Sequence, residues 1–370
     1  KHWESQGYPA LDKWAWYRLK IKIPTDWKSK TTYLNFSGVD DHYKLYVNGT
    51  YVGRGPAIGD IDHWRYETIE LKEYLKAGQN TIAVEVVNFG EFRHAKQQSF
   101  QTAFIMQGEA SNAVNVNTTK DSEWKVIKNK AFEAIPFVSD SVGGYYAAGP
   151  GDHVNGDHYP WGWKDANYDD NSWMTPRLAM VEFAVGRGFL FGSTWYLVPR
   201  AIPALSETTT RFDKVARTEG LEVSQKFVQG KESITIPANS NVSILLDHTS
   251  HTIGYPVLTM SKGAQSVVKA TYAEALFYST STEFSAHGGW KKGPRNQLKD
   301  QEIRGYYDIF TADGGEQHSY QPQGMRTFRF VQFDITTGDE PLIIDDYHNV
   351  YTAYPFEEKA SLVSPVTSSP

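Results

Sequence analysis

Apolar residues along the chain mostly recur at every second position, which is the period of a half-buried β-strand. This alternation predicts strands in YRLKIKI (residues 17–23), YKLYVNGTYVG (43–53), TIAVEVVNF (81–89), SVVKATYAEALF (266–277) and RFVQFDI (329–335). Within the second stretch, Asn48 and Gly49 lie between two apolar runs, and this pair supplies the positive φ angles of a tight hairpin turn. The pattern therefore predicts a protein built largely from antiparallel strands.

Helical periodicity is scarce, and one short segment shows it. In ETIELKEYLKAGQN (residues 67–80), Leu71, Tyr74 and Leu75 are spaced to share one face of a helix, and Gly78 stands where such a helix would stop. We expect a short helix here. The many short strands and polar turns elsewhere predict an all-β fold with two antiparallel β-sandwich (jelly-roll) domains in series.

Chain length and local composition predict two domains. At 370 residues the chain is longer than one hydrophobic core usually grows. The stretch PALSETTTRFDKVARTEG is polar and rich in Thr between two β-patterned regions, so we predict domains at residues 1–210 and 211–356. Residues 357–370 turn to Ser, Pro and Thr, which is typical of a linker.

Charge and cysteine content narrow the possible partners. The net charge is -6 with no long basic or acidic run, which argues against a nucleic-acid partner. The absence of cysteine excludes disulfides, zinc–thiolate sites and a cysteine nucleophile. No apolar run approaches the roughly 18 residues that span a membrane. Because Lys1 is preceded by neither Met nor an apolar leader, we expect a mature or trimmed chain.

The loop GPGDHVNGDHYPWGWKDANYDDNSW (residues 149–173) has the most unusual composition in the chain. Its two imidazoles and two neighbouring carboxylates could ligate a metal only if they converge, and we predict no metal here. A sugar site is a second hypothesis, with an indole under the sugar ring and Asp and His bonded to hydroxyls. Its candidate residues are Trp161, Trp163, Asp152, His153, Asp157 and His158. The alternative is that these tryptophans pack as core residues.

A second candidate is the acidic pair Asp40 and Asp41, which precedes a hairpin strand. These carboxylates could bind a sugar hydroxyl or a calcium ion, and calcium is the one cofactor that we leave open. The alternative is a solvated turn in which Asp bonds its own backbone. Glycosidic hydrolysis would need two carboxylates flanking the bond, and no spacing in the sequence singles out such a pair. We therefore predict no catalytic residue.

The second β-patterned region carries interspersed charges that predict partly buried ion pairs. The acidic partners are expected to be Glu274 and Glu302, and the basic partners Arg304, Arg326 and Arg329. In the same region we expect Phe328 and Phe330 to face inward. The alternate set of side chains on that strand is expected to be partly covered by a further domain.

Several motifs, taken in order, resemble a known family. ATYAEALF, then NQLKDQEIRGYYDIFTADGGEQHSYQPQGMRTFRFVQFDI, then DDYHNVYTAYPF resemble the β-sandwich that precedes the catalytic barrel of bacterial alpha-L-rhamnosidases, which are glycoside hydrolases. Upstream, WYRLKIKIPTDWKSKTTYLNFSGVDDHYKLYVNGTYVGRGP is similar to the galactose-binding-like jelly roll at the front of the same enzymes, as are DSEWKV and YDDNSW. The resemblance covers most of residues 12–356.

The resemblance implies a non-catalytic part of an alpha-L-rhamnosidase, serving as scaffold and as a possible binding unit for rhamnose-containing plant glycans. In that family the catalytic acid and base lie in a helical barrel that an Asp-Cys-Pro motif introduces. This chain has neither a cysteine nor long helical patterns, so we expect the barrel to follow residue 370. The resemblance also implies a periplasmic or secreted bacterial protein, with Asp308, Arg326 and Arg329 stabilising the second sandwich. The alternative is a stand-alone carbohydrate-binding or adhesive β-protein without catalysis.

Overall fold

A computed structural model describes residues 13–23, 33–37, 42–60, 63–93, 103–108, 116–119, 121–136, 149–177, 196–279 and 291–361. Strands make up nearly all of the regular structure in these ranges. The helical segments described are two single 3-10 turns, Gly90–Phe92 and Gly156–His158. None of the described segments is a helix of the length and hydropathy that a membrane crossing requires.

The described strands are numbered in chain order. The first eleven are β1 (Lys13–Ile23), β2 (Tyr33–Ser37), β3 (His42–Val47), β4 (Thr50–Gly55), β5 (His63–Glu70), β6 (Gly78–Asn88), β7 (Ile105–Gly108), β8 (Lys125–Asn129), β9 (Phe132–Ile135), β10 (Gly151–Asn155) and β11 (Tyr196–Pro199). The others are β12 (Ser206–Thr210), β13 (Lys214–Glu219), β14 (Ile234–Ile236), β15 (Asn241–Lys262), β16 (Val267–Ala273), β17 (Phe277–Tyr278), β18 (Gln301–Glu302), β19 (Tyr306–Thr311), β20 (His318–Tyr320), β21 (Arg326–Thr336) and β22 (Leu342–Ala353).

Two sheets form the N-terminal sandwich. A five-stranded sheet has the order β4-β3-β6-β1-β8, and a four-stranded sheet has the order β11-β5-β2-β7. Alternate side chains of β1, β3 and β6, such as Tyr17, Leu45 and Val84, form one apolar cluster with Met106 of the other sheet. Burial of this cluster is the main stabilising contribution to the first sandwich.

The C-terminal region is an eleven-stranded sheet with the main order β12-β22-β15-β21-β16-β19-β10-β9. The long strand β15 also pairs with β13 and β20, and its register with β21 shifts between Asp247 and Thr252. Strand β14 pairs with β22, and β17 and β18 form a separate two-stranded sheet. The predicted all-β fold class with stacked sheets is confirmed.

The five-stranded sheet is covered on both faces. Its second face contributes Trp16, Ala83 and Val87 to the apolar cluster of the eleven-stranded sheet. Strand β6 is consequently buried from Asn80 to Asn88 and lacks the alternating exposure of a strand with one wet face. The seam between these two sheets brings together residues that are far apart in sequence, and it holds the site described below.

The predicted hairpin at Asn48 and Gly49 is confirmed. Both residues have positive φ, 52° and 82°, and they join β3 to β4. The predicted helix at residues 67–80 is wrong, because this segment contains the end of β5 and the start of β6. Leu71 and Leu75 are both buried, but their spacing produces a single turn, in which Leu75 N donates to Leu71 O at 3.1 Å.

Sheet pairing does not follow the predicted boundary near residue 210. Strands β9, β10 and β12 all precede that point, yet they pair within the eleven-stranded sheet. The Thr-rich stretch is polar because β12 is an exposed edge strand of this sheet. Residues 357–361 have no regular structure, and the rest of the predicted linker lies outside the described residues.

Strand β21 places Phe328 and Phe330 on different faces. Both are buried as predicted, but Phe328 lies in the main apolar cluster, whereas Phe330 packs with Leu245 and Leu276 in a separate one. The register shift in β15 opposite this segment accounts for the change of face. The alternate set is not left for another domain to cover, because Val331 and Phe333 are fully buried in the main cluster.

Candidate functional site

Trp163, one of the two predicted sugar platforms, is a core residue. Its side chain is only 1% exposed and belongs to the main apolar cluster. It packs against Trp16 and Tyr46, with ring centroids 5.8 and 5.7 Å apart. A buried indole presents no face to a ligand, so the prediction that Trp163 stacks under a sugar is wrong.

Trp161 is half-buried, and neighbouring rings already contact it. The imidazole of His318 stacks on the indole with centroids 3.6 Å apart, and the ring of Tyr159 lies 4.3 Å away. Its Nε1 donates to the carbonyl of Gly156 at 3.1 Å. These contacts leave little of the indole for a sugar ring, and they fix Trp161 as a packing residue of the loop.

The second half of the loop ties the two sheets together. Asp170 accepts hydrogen bonds from Arg18 Nε and Lys20 Nζ of β1, both at 3.1 Å. The guanidinium of Arg18 also lies over the rings of Tyr168 and Trp173. The charged and aromatic residues of the YDDNSW motif therefore anchor the loop to the first sandwich.

Asp152 lies in a buried network with two charged partners. Arg326 forms a two-point ion pair with Asp308, at 2.9 and 2.6 Å, and its Nη2 lies 3.3 Å from Asp152. Asp152 also accepts from the backbone N–H of Gln323 at 2.6 Å. Burial, reinforced by Asp308 and opposed by Arg326, raises the pKa of Asp152 to about 7. Asp152 is fully buried, so it holds the fold and offers no carboxylate to a surface ligand.

The remaining loop candidates are spread apart. His153 is half-buried beside Glu133 and Thr311, whereas Asp157 and His158 are exposed, with Asp157 bonded to Gln265. Their role in sugar binding stays a prediction.

Metal ligation has little support in the described chain. Within the described ranges, no three His, Asp or Glu side chains come together as a possible set of metal ligands. Asp40 and Asp41, for which calcium was considered, lie outside the described residues.

Ion pairs in the C-terminal sheet differ in part from those predicted. Arg326 pairs with Asp308 and Asp152, and Arg329 pairs with Asp247 at 2.9 Å. Glu302 pairs with Arg304, whereas Glu274 pairs with Lys292. The stabilising role predicted for Asp308, Arg326 and Arg329 agrees with these contacts, since all three side chains are buried.

A cleft of about 530 Å³ opens at the seam between the five-stranded and eleven-stranded sheets. We call it the inter-sheet cleft. One wall comes from β3, β4 and β6, and the other from β9, β10, β12, β15, β20 and β22. Tyr159 and Lys164, which follow β10, and Gln321 and Gln323, which follow β20, complete the lining. Its lining residues are Lys44, Tyr46, Tyr51, Arg54, Glu85, Phe132, Val154, Tyr159, Lys164, Glu207, Thr209, Val257, Ser319, Tyr320, Gln321, Gln323 and Val350.

Charged side chains line the wall that the first sandwich provides. Lys44 and Glu85 face each other at 3.7 Å, with side chains only 6% and 3% exposed. Arg54 Nε donates to Glu207 at 2.7 Å, and its guanidinium lies 3.5 Å above the ring of Tyr255. These contacts hold the charged groups in fixed positions along the cleft.

Several buried polar atoms of the cleft have no hydrogen-bond partner among the described residues. They are Nη1 of Arg54, Oε1 of Glu85 and both side-chain amide atoms of Gln323. Buried polar groups in native proteins are nearly always satisfied, by protein, water or a ligand. Unused donors and acceptors beside the half-buried rings of Tyr46, Tyr51 and Tyr159 suit a small ligand with both hydroxyls and an apolar ring face.

Burial shifts the protonation equilibria of the cleft. It lowers the pKa of Lys44 to about 8, although Glu85 opposes the shift. It also lowers the pKa of Lys164. Burial raises the pKa of Tyr46, Tyr159 and Tyr320, so their hydroxyl groups remain protonated and can donate hydrogen bonds.

Sequence reasoning missed the cleft because its walls come from strands far apart in the chain. A usable signal was Glu85, which interrupts the apolar run TIAVEVVNF of β6. A carboxylate inside a strand buried on both faces requires a partner. Lys44 supplies it from the neighbouring strand β3.

Comparison with known proteins gives two results for the sequence. Residues 4–124 match the family described as "Glycosyl hydrolases family 2, sugar binding domain". A Formosa agariphila protein, provisionally named a beta-glucuronidase, is 42% identical over 74 residues, which cover 20% of this chain and 7% of that protein. A beta-galactosidase of Thermoanaerobacter pseudethanolicus is 36% identical over 74 residues, which cover 20% of this chain and 9% of that enzyme.

The fold is similar to that of a solved glycosidase. A family 78 glycoside hydrolase, the rhamnosidase of Bacillus sp. GL1, superposes with a TM-score of 0.68 over 95% of this chain. Identity is 12%, and the chain spans 55% of that structure. At this identity the likeness shows a common fold alone. The matched segment 4–124, which supplies one wall of the inter-sheet cleft, resembles the sugar binding domain of a glycosyl hydrolase.

Proposed function

We propose that this chain is the non-catalytic, carbohydrate-binding part of a larger glycosidase, and that the inter-sheet cleft is its sugar site. The observation that carries the proposal is the chemistry of the cleft, where tyrosine rings lie beside buried polar atoms without partners. Stacking on rings and hydrogen bonding to hydroxyls are the two interactions that sugars use. The sugar-binding-domain match at residues 4–124 supports the same conclusion.

The parent enzyme is proposed to be an alpha-L-rhamnosidase acting on rhamnose-containing plant polysaccharides or glycosides. Support comes from the order of motifs in the C-terminal region and from the shared fold over 95% of the chain. The catalytic barrel is proposed to belong to the same polypeptide, and the protein to be periplasmic or secreted. The short aligned relatives are named for galactosidase and glucuronidase activity, so these two reactions are the competing alternatives.

Calorimetric titration of the chain with L-rhamnose, D-galactose and a rhamnogalacturonan oligosaccharide tests the binding role. One ring face plus two or three exchanged hydrogen bonds, less the cost of immobilising the ligand, predicts millimolar to high micromolar affinity. Tyr51→Ala should weaken binding because it deletes a half-buried ring that lines the cleft. Tyr351→Ala is the matched control, since Tyr351 is exposed on β22 and does not line the cleft. Absence of heat with every sugar would overturn the binding role.

An activity assay tests the assignment to a glycosidase. The isolated chain should not hydrolyse aryl alpha-L-rhamnoside, aryl beta-D-galactoside or aryl beta-D-glucuronide, since no positioned acid pair is proposed within it. The full-length protein should hydrolyse the first of these. Turnover of a different glycoside would replace the rhamnosidase assignment, and comparable turnover by the isolated chain would contradict its non-catalytic role.

A further inference from the structure

We propose that the inter-sheet cleft selects sugars that carry a carboxylate, that is, uronic acids, over their neutral counterparts. The proposal rests on the carbohydrate-binding role proposed above and names the ligand class of the same site. It is carried by an excess of cationic groups in the cleft and by the position of one lysine that has no ion-pair partner among the described residues.

The charges that line the cleft do not balance. Three cationic side chains, Lys44, Arg54 and Lys164, face two carboxylates, Glu85 and Glu207. Each carboxylate is already engaged, Glu85 with Lys44 and Glu207 with Arg54. One cation is therefore left over. A ligand carboxylate would complete the set of opposite charges without displacing any contact in the protein.

Lys164 is the surplus cation. Its Nζ lies 4.5 Å from the centroid of the Tyr46 ring, and none of the described residues forms an ion pair with it. Glu85 and, more weakly, the exposed Asp165 attract it electrostatically, but neither forms an ion pair with it. The tyrosine ring orients the ammonium group but does not neutralise it, so Lys164 is available to an anion.

Arg54 supplies a second donor for the same group. Its Nε is occupied by Glu207 and its Nη2 lies 3.4 Å from Gln321, but Nη1 is buried without a described partner. A guanidinium with one free N–H edge suits a carboxylate oxygen, and such charge-assisted bonds are about twice as strong as neutral ones.

The pKa directions agree with this charge count. Burial lowers the pKa of both Lys44 and Lys164, and Glu85 opposes the shift in both without offsetting it. An anionic ligand would stabilise the charged forms of both lysines and raise their pKa. The amide of Gln323 remains for the hydroxyl groups of the same sugar, since it can both donate and accept.

Matched titrations of the intact chain test the proposal. D-galacturonate and D-glucuronate are compared with D-galactose and D-glucose, which differ from them by the carboxylate alone. The uronates should bind about tenfold or more tightly, because a charge-assisted hydrogen bond is gained. Raising the salt concentration from about 50 to 500 mM should weaken uronate binding and leave hexose binding unchanged. Acetate and inorganic phosphate, used alone, should bind far more weakly than the uronates.

Lys164→Met identifies the group responsible. The change keeps a flexible apolar stem against Tyr46 and removes the charge, so the uronate preference should fall about tenfold while hexose affinity stays the same. Lys269→Met is the control, because Lys269 makes the same kind of contact, 4.3 Å from the Tyr307 ring, outside the cleft. Its uronate preference should be that of the unmodified chain. Thermal melting of both variants checks that they fold.

Three results would overturn the proposal. Equal affinity for uronates and hexoses removes the charge selection but leaves the carbohydrate-binding role intact. Binding of phosphate as tight as that of the uronates shows a general anion site. Absence of binding by any sugar removes the carbohydrate-binding role together with its ligand class. If Lys164→Met does not fold, the salt dependence of uronate binding by the unmodified chain tests the charge selection instead.

Discussion

The loop at residues 149–173 lends Val154, Tyr159 and Lys164 to the inter-sheet cleft, but the rest of the loop uses the same kinds of side chain differently from the cleft. In the loop, the aromatic rings are packed against one another and Asp170 is fully engaged by Arg18 and Lys20. In the cleft, rings and charges stand beside polar atoms that lack partners. Aromatic and acidic composition alone therefore does not identify a binding site. Substitutions should cost stability in the loop and affinity in the cleft.

The largest expected effect is that of Trp163→Ala. Because Trp163 is 1% exposed in the main apolar cluster, its truncation should lower the free energy of unfolding by about 3–5 kcal/mol. Chemical denaturation followed by tryptophan fluorescence measures the loss. Trp161→Ala is the matched control, and since Trp161 is only half-buried it should cost less. Equal and small losses for both would show that the loop does not carry the packing described here.

Asp152 should give the loop region a distinctive pH dependence. Burial raises its pKa in the folded protein to about 7, from an ordinary value near 3.8. Between these two values the folded protein holds a proton that the unfolded chain has released, so stability should fall as pH rises from about 4 to 7 and then level off. The contribution amounts to a few kcal/mol at most.

Asp152→Asn tests this assignment through the slope of stability against pH. The variant cannot ionise at this position, so its unfolding free energy should vary less between pH 4 and 7 than that of the unmodified chain. Asp157→Asn, which alters an exposed carboxylate of the same loop, should leave the slope as it was. An unchanged slope in the Asp152 variant would assign the pH dependence to other groups.

Glu85→Gln separates paired from unpaired groups within the cleft. Removing the carboxylate leaves the Lys44 ammonium, 6% exposed, without its partner at 3.7 Å. We expect a loss of about 1–3 kcal/mol at pH 7, the cost of an uncompensated buried polar group. The loss should shrink above pH 8 as Lys44, whose pKa burial lowers to about 8, releases its proton. A pH-independent loss would indicate that Lys44 is already neutral.

Individual strands are well predicted from the sequence because the alternation of apolar and polar residues involves adjacent positions only. The hairpin at Asn48 and Gly49 and the alternating burial at the end of β1, from Leu19 to Ile23, follow directly from it. The helix at residues 67–80 fails because Leu71 and Leu75 share a face over one turn as readily as over three.

The candidate site was hard to predict because its contacts join residues that are far apart in the sequence. Arg18 and Asp170 are 152 positions apart, and no local pattern shows that the Asp170 carboxylate is already occupied by Arg18. Arg54 and Glu207 are likewise 153 positions apart, so the cleft exists only once the two sheets have packed. Glu85, a carboxylate inside the apolar strand β6, was a sign in the local sequence that the two sheets pack there.

The smallest expected change in stability is that of Gln323→Met, which tests the comparison most directly. Gln323 is 2% exposed and both of its amide atoms lack a described partner, so an apolar side chain of similar size should leave the unfolding free energy unchanged or raise it by about 1 kcal/mol. Sugar affinity should fall, because the amide was available to hydroxyl groups.

Gln301→Met is the matched control for this change. Gln301 is also buried and its Oε1 has no described partner, but its Nε2 donates to Gln297 O at 2.6 Å and the residue does not line the cleft. Its replacement should cost about 1–3 kcal/mol and leave sugar affinity unaltered. Denaturation and calorimetric titration of the two variants together therefore give opposite patterns if the amide of Gln323 serves a ligand in the cleft and that of Gln301 serves the fold. A Gln323 variant that loses stability and keeps its sugar affinity would show that Gln323 stabilises the fold, as the packed residues of the loop do, and does not bind sugar.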